Sequence, residues 1–231
     1  FELELNKETE VEETHGFGDS WVEVETTDIN RGGVTQRGWY DDATDKTSDA
    51  LVANPGVSRV LLAGIEGNVQ GGAAVGFQGA MQRNIARNPI RGELTKISAE
   101  YLSDGEVDDV DHEIVQTLSA EAGDGATSDG SWDNGGASAN GGAAYLEVTA
   151  LALGGYTNVE VKLQESSDDG TDPWADVAGG TFTVVTTAPN AERLVLAPLL
   201  AIEQYVRVLL TWNGAGSSES ITLIVTLVRD P

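Results

Sequence analysis

The chain has 231 residues, 38 of them acidic and 13 basic, for a formal net charge of −25, and it has no cysteine. That length holds one large domain or two small ones, and an apolar fraction of 40% is enough for a packed core. The composition excludes a disulfide framework or thiolate site and argues against a nucleic-acid-binding surface, which needs clustered Lys and Arg. No apolar run approaches the roughly 18–20 residues that span a bilayer, so no membrane partner is expected.

The acids are spread along the chain, over 2–13, 41–49, 104–113 and 168–176. Such a charge opposes folding by self-repulsion, and salt screens it. Three readings stay open: life in concentrated salt, a passage for an anion that must not stick, or cation binding. The even spread and the scarcity of lysine suit adaptation to salt best.

In chain order, "WVEVET" (Trp21 to Thr26) alternates apolar and polar residues and predicts a strand. Residues 44–54, "TDKTSDALVAN", form the one good helix candidate, with Asp41, Asp42 or Thr44 as cap and "NPG" as its stop. "VSRVLLAGI" (Val57 to Ile65) predicts a strand. Residues 73–102 predict two long strands joined near Asn88–Gly92, where Asn-Pro and Arg-Gly favour a turn. Gly76 and Gly79 within the first arm point to a close neighbouring backbone or a bulge. Arg83, Arg87 and Arg91 line this hairpin. They either offset acids of their own subunit or meet a neighbour's carboxylates.

Residues 119–142 are almost all small or polar and predict a linker or long loop. The chain therefore divides into 1–118 and 143–231. The second part reads as a β-sandwich. "VEVKLQ" places Val159, Val161 and Leu163 on one face, and "YVRVLLTW" places Val206, Val208 and Leu210 inward. "ITLIVTLVR" carries Ile221, Leu223, Val225 and Leu227 on one face. Its other face, Thr222, Ile224, Thr226 and Val228, is apolar enough to predict cover on both sides. Turns fall at 166–173, 187–192 and 213–220. No repeat is visible at the level of identity, and a diverged duplication stays open.

Few residues suggest chemistry. "SDGEVDDVDHE" (Ser103 to Glu113) holds six carboxylates in eleven residues. Set against a helix–loop–helix calcium site starting at Asp104, the sixth position is Asp109 instead of Gly, and the twelfth is Val115 instead of Glu. A solvated acidic turn between strands fits better. His15 and His112 belong to no metal-ligand spacing, and "GIEGNVQGG" (Gly64 to Gly72) lacks the lysine and helix of a phosphate loop. No catalytic motif is present, so an enzyme is not expected, and neither is a cofactor or a metal.

"GDSWVEVETTDINRGGVTQRGWYDD" (Gly18 to Asp42) and "GVSRVLLAGIEGNVQGGAAVGFQGAMQRNIARNPIRGELTKISAEY" (Gly56 to Tyr101) resemble the tail tube proteins of long, non-contractile-tailed, siphovirus-type phages. In those, an aromatic G-D-x-W segment, a G-W/F-Y-D segment and a G-x-x-G-x-x-x-V-G-F-x-G-A segment recur in this order. "NGGASANGGAAYLEVTALALGGYTNVEVKLQESSDDGTDPWADVAGGTFTVV", "AERLVLAPLLAIEQYVRVLLTW" and "SITLIVTLVR" resemble their C-terminal half. The acidity departs from the pattern and fits a tailed virus of halophilic archaea. The resemblance implies a tail-tube-like β-barrel or sandwich with one short helix, followed by a C-terminal β-sandwich half. It implies a structural virion protein of the tail that pairs sheets between subunits. Rings of three or six copies would stack, meet other tail proteins, and enclose a polar, mostly negative bore that lets genomic DNA slide without specific binding. Its inter-subunit candidates are Arg83, Arg87, Arg91, Phe77, Trp39 and Tyr40, on the hairpin 73–102 and the segment before it, with 1–13 as a further contact. Two rivals are a carbohydrate-binding sandwich using Trp132, Trp174 and Trp212, and a secreted hydrolase.

Dialysis from molar salt into dilute buffer is expected to unfold or disperse the protein, because −25 charges are then unscreened. Unchanged circular dichroism and sedimentation across that change would refute this.

Overall fold

The computed structural model describes residues 2–14, 23–39, 58–67, 69–89, 95–108, 112–128 and 130–229. Among these, every regular element is a strand, so the protein is mainly β. The helix expected at 44–54 lies outside the described residues.

Three sheets are present. In the first, the strand order is β1 (Glu2–Thr14), β2 (Glu23–Trp39), β5 (Lys96–Ser103), β4 (Ala74–Asn88), β3 (Ser58–Gly64), with the short β6 (Val107–Asp108) beside β4. The second runs β13 (Asn190–Leu196), β10 (Gly142–Ala152), β15 (Ser220–Arg229), β7 (His112–Glu121). The third runs β12 (Ala175–Thr181), β11 (Asn158–Ser166), β14 (Tyr205–Asn213), and two short pieces, β8 (Gly125–Ala126) and β9 (Trp132–Asp133), pair with β14. The chain divides into two compact units, the first of residues 1–61 and 77–107, the second of 62–76 and 108–231.

In the first unit β1 and β2 pair antiparallel from Glu2↔Arg37 to Thr14↔Glu23, with an irregularity between Thr9 and Val11. β2 continues onto β5 from Gly33↔Leu102 to Trp39↔Lys96. β4 and β5 form the expected long hairpin, from Ala80↔Ser103 to Asn88↔Lys96. Among its described residues Ile97 and Ala99 form a buried cluster on which Ile85 and Tyr101 pack, and Val34, Phe77, Ala80 and Val107 are buried as well. Gly79 has the expected neighbouring backbone, its carbonyl accepting from the Asp104 amide at 3.0 Å, and a Cβ there would also displace the Asp104 and Ser58 side-chain ends, 2.1 and 2.5 Å away. The ladder irregularity falls later, between Gln82 and Asn84.

The second unit is a sandwich whose two sheets share one core. Leu146, Val148, Leu223, Val225 and Leu227 come from one sheet, and Val159, Val161, Leu163, Val206, Val208 and Leu210 from the other. Period-2 alternation produces this directly, because successive side chains leave a strand on opposite faces. Burying a Leu, Ile or Val side chain contributes about 1.5–3 kcal/mol, so this cluster is the main source of cohesion in the unit. β15 is covered on its second face as well near its end, where Thr226 and Val228 are buried. Tyr145, on the neighbouring strand, and His112 fill that outer layer.

The partition differs from the one read at residue 118. β7 pairs with β15 inside the second unit, from Ile221↔Glu121 to Val228↔His112. Residues 119–142 are not a free linker: β8 and β9 pair with β14, and Ser138 bridges Ile202. Small side chains let this segment lie along the edge of β14 and satisfy its backbone groups.

Gly76 marks the tightest packing in the outer layer, since a Cβ there would sit 2.5 Å from the Tyr145 ring and 2.8 Å from His112. Gly76→Ala is expected to cost about 1–3 kcal/mol by overpacking. Denaturant titration in high salt measures it, and a loss below about 0.5 kcal/mol, the scatter of a neutral surface substitution, would refute it.

Candidate functional site

The functional features of this chain are its strand edges and the placement of its few bases. The second unit holds four basic residues, Lys162, Arg193, Arg207 and Arg229, and each is engaged internally. Lys162 Nζ lies 2.7 Å from Asp176 Oδ2. Arg207 donates to Gln164 Oε1 at 3.0 and 2.7 Å and stacks 4.2 Å over the Trp174 ring. Arg229, buried beside Glu113 and Trp132, donates to the Gly136 carbonyl at 3.0 Å. Burial pulls its guanidinium down to about 10, while the carboxylates of Glu113 and Glu165 pull the other way, so it stays charged at neutral pH.

Arg193 is the most deeply tied. Asp108 Oδ2 accepts from Arg193 Nε at 2.9 Å and from the Tyr145 hydroxyl, and the two charged side chains are only 6% and 11% exposed. Burial, and then the hydrogen bond the hydroxyl donates to Asp108, push Tyr145 well above its usual range. Burial opposes charge on Arg193, but the Asp108 and Tyr145 contacts outweigh it and hold the guanidinium above its ordinary value. His112 completes the layer. Its Nδ1 faces the Asp108 main-chain carbonyl oxygen at 2.9 Å, which only accepts, so Nδ1 carries the proton. Nε2, 2.6 Å from Thr226 Oγ1, then accepts from that hydroxyl.

With its bases committed, the surface of this unit is acidic. The field is felt at Tyr205, whose hydroxyl is pushed up first by the charge of Asp133 and also by Asp168 and Asp169. The turn at 166–173 is closed by Asp168, whose carboxylate accepts from the Asp172 amide at 2.9 Å and from Ser166 Oγ at 3.1 Å. Among the described residues no group of three or more His, Asp or Glu side chains is arranged to hold a metal ion.

The strand edges fall into two kinds. β7 is covered over its first residues: Gly71 donates to the Ile114 carbonyl, Ile114 donates to the Gly72 carbonyl, and Gln70 caps the Val115 carbonyl. This is the role of the glycine-rich stretch 64–72, to which no motif assigns one. β14 is covered by β8 and β9. β13 and β12, each the last strand of its sheet, have no strand beyond them among the described residues, and neither have β1 and β3.

The residues proposed from sequence scatter over this frame. Arg83 is exposed and sits at the irregularity between Gln82 and Asn84, outside the ladder pairing. Arg87 is exposed, level with Ile97 and, across β5, with Gly38. Trp39 ends β2 opposite Lys96, so the strand ends carrying Arg87 and Trp39 come to the same end of the sheet. Phe77 sits near the other end of β4 and is buried, 1% exposed, against Gly32 of its own unit, so it does not present a contact surface. Tyr40 and Arg91 lie outside the described residues. The three tryptophans offer no bare sugar platform: Trp212 is buried and donates to the Gly123 carbonyl, Trp132 packs against the core, and Arg207 covers Trp174. Sequence reading missed the Asp108–Tyr145–Arg193 group, because its members are 37 and 85 residues apart and no spacing links them.

No protein-family model matches the chain, and no curated protein matches it significantly. Among solved structures, the tail of an empty GTA particle with C6 symmetry superposes with a TM-score of 0.33 at 15% identity, covering 47% of this chain and 78% of that one. The SPP1 Dit protein, described as a hub adsorption apparatus of phages infecting Gram-positive hosts, superposes with a TM-score of 0.30 at 10% identity, covering 99% of this chain and 92% of that one.

Asp108→Asn leaves the buried Arg193 without its counter-charge. It is expected to cost about 3–5 kcal/mol, as broken buried pairs do. Denaturation in molar salt reads this out, and a loss under about 1 kcal/mol, the scale of an exposed pair, would refute the buried-pair assignment.

Proposed function

We propose that the chain is a structural subunit of a viral tail, which self-associates through its open strand edges into stacked rings around a bore that conducts a genome. The observation that carries this reading is that β1, β3, β12 and β13 have no strand beyond them among the described residues, together with an order of sequence segments that resembles tail tube proteins over most of the chain. An open edge carries unpaired N–H and C=O groups, and a soluble monomer normally blunts it. Among the described residues of the second unit, β14 and the start of β7 are covered, and β12 and β13 are left open. Strand pairing between subunits satisfies those groups on both partners.

The charge suits the role. Duplex DNA carries about one negative charge per 1.7 Å, so a bore walled by acids repels it and lets it slide. Adaptation to concentrated salt permits such a wall, because at about 1 M the Debye length is near 3 Å and neighbouring subunits no longer repel at long range. Arg83 and Arg87, exposed on the hairpin, and Arg91 beyond the described residues, serve as contacts to a neighbour's carboxylates. Rings of three or six copies are both compatible with the chain. The protein acts without catalysis, alongside other tail proteins in the virion.

Electron microscopy of the protein in molar salt, after concentration, is expected to show rings or tubes, and reversing Arg83 and Arg87 to Glu to reduce them. A dispersed monomer at high concentration would overturn the proposal.

A further inference from the structure

Residues 175–202 differ from the rest of this chain. Of the chain as a whole, 22% is charged, yet these 28 residues hold only Asp176, Glu192 and Arg193. All three are occupied inside the unit. Asp176 binds Lys162. Glu192 accepts from the Thr183 amide at 2.9 Å and its hydroxyl at 3.0 Å. Arg193 is buried on Asp108. The segment contains β12 and β13, the two strands of the sandwich left open at one side. The Thr183–Glu192 clamp ties the chain after β12 to β13, so both edges lie on the same side of the unit.

Three of the seven large apolar side chains exposed among the described residues lie on this charge-poor side. Val195 on β13 is 68% exposed, and Val184 beyond β12 is 43% exposed. Leu199, just past β13, is 81% exposed and holds φ at +65°, a backbone conformation that costs an L-residue energy and that glycine adopts freely. The turn is fixed by Leu200 donating to the Ala197 carbonyl and Gly141 donating to the Leu200 carbonyl. Strained backbone of this kind persists where surroundings over-determine it, and it clusters at contact and functional sites.

We propose that this open, charge-poor side of the second unit is the docking surface for a second copy of the chain, by strand addition along β13 with Val195 and Leu199 covered in the contact. The inference rests on the reading that the chain self-associates, and goes further by naming the surface. The occupant follows from charge. Two chains of net charge −25 repel over most of their surfaces. They approach at least cost where the charges are few and internally matched. The free groups of an edge strand accept any other open edge regardless of side-chain charge, and among the described residues β1 and β3 have no strand beyond them either.

The test uses the full chain in molar salt. Leu199→Gly removes the exposed side chain while relieving the backbone, and Val195→Asp adds a charge at an exposed edge position, so both keep the fold. Each is expected to raise by about tenfold or more the concentration at which half the protein sediments as oligomer, the equivalent of roughly 1.4 kcal/mol of contact, with unchanged circular dichroism. The natural chain has no cysteine, so a Leu199→Cys variant gives a clean second measurement. The alkylation rate of its single thiol is expected to fall about tenfold on assembly, and this arm decides if a substitution impairs folding. Assembly of the variants at the natural concentration, with the introduced thiol equally reactive in monomer and oligomer, would overturn this surface while leaving self-association intact. A natural chain that never oligomerises would overturn both.

Discussion

The constraint that organises this molecule is its own electrostatic repulsion. A chain of 231 residues with 38 acids and 13 bases cannot rely on surface ion pairs to offset its field. The second unit resolves this by segregation. Its apolar cluster is built from strand faces that carry no charge, and its four bases are drawn inward, onto Asp108, Asp176, Gln164 and the Gly136 carbonyl. The acids are left to water and salt. A buried pair such as Asp108–Arg193 adds little net stability over an apolar alternative, but it is costly to break. It therefore acts as a pin for position rather than as a source of cohesion.

That pin has a location with consequences. Asp108, Tyr145, His112 and Thr226 occupy the outer face of the sheet that ends in β13, and Arg193 belongs to β13 itself. The strand with the exposed edge is thus held by a charged side chain anchored behind it. Its neighbours in sequence, Val195 and Leu199, remain outward. An edge whose few charges are matched within the unit is suited to pairing between two acidic chains. The opposite edge, on β7, is treated differently: the glycine-rich segment occupies the start of that strand with three hydrogen bonds, at Ile114 and Val115.

The fold of the second unit is legible in residue patterns to a degree that follows from physics. Alternation alone places Val159, Val161 and Leu163, and Val206, Val208 and Leu210, inward, and all six are buried. The dual burial of β15 is written in Thr226 and Val228, which are buried as their apolar setting predicts. Strand direction and face are local properties with period 2, so they survive in one dimension. The long hairpin of β4 and β5 is legible for the same reason. Other features are legible only in part. Gly76 and Gly79 announce a close approach, but the side chains that share in it come from residues distant in sequence. The small-residue segment 119–142 reads as a linker by composition and becomes an edge cover in space, because composition says which backbone is free to move and not which strand it meets.

By itself, the sequence determined that this protein is β-rich, strongly acidic, free of disulfides and thiolate sites, and patterned for sheets with a buried face. Those properties depend on composition and on neighbours one or two residues away. Only the tertiary structure decided which edges are covered and which are open, that Phe77 is core, that the bases of the second unit are all engaged, and that Asp108 reaches Tyr145 and Arg193 across 37 and 85 residues. These are matters of long-range pairing. A strand carries no mark of its partner's identity, and the charge left over on a surface is known only after every internal pair has been made.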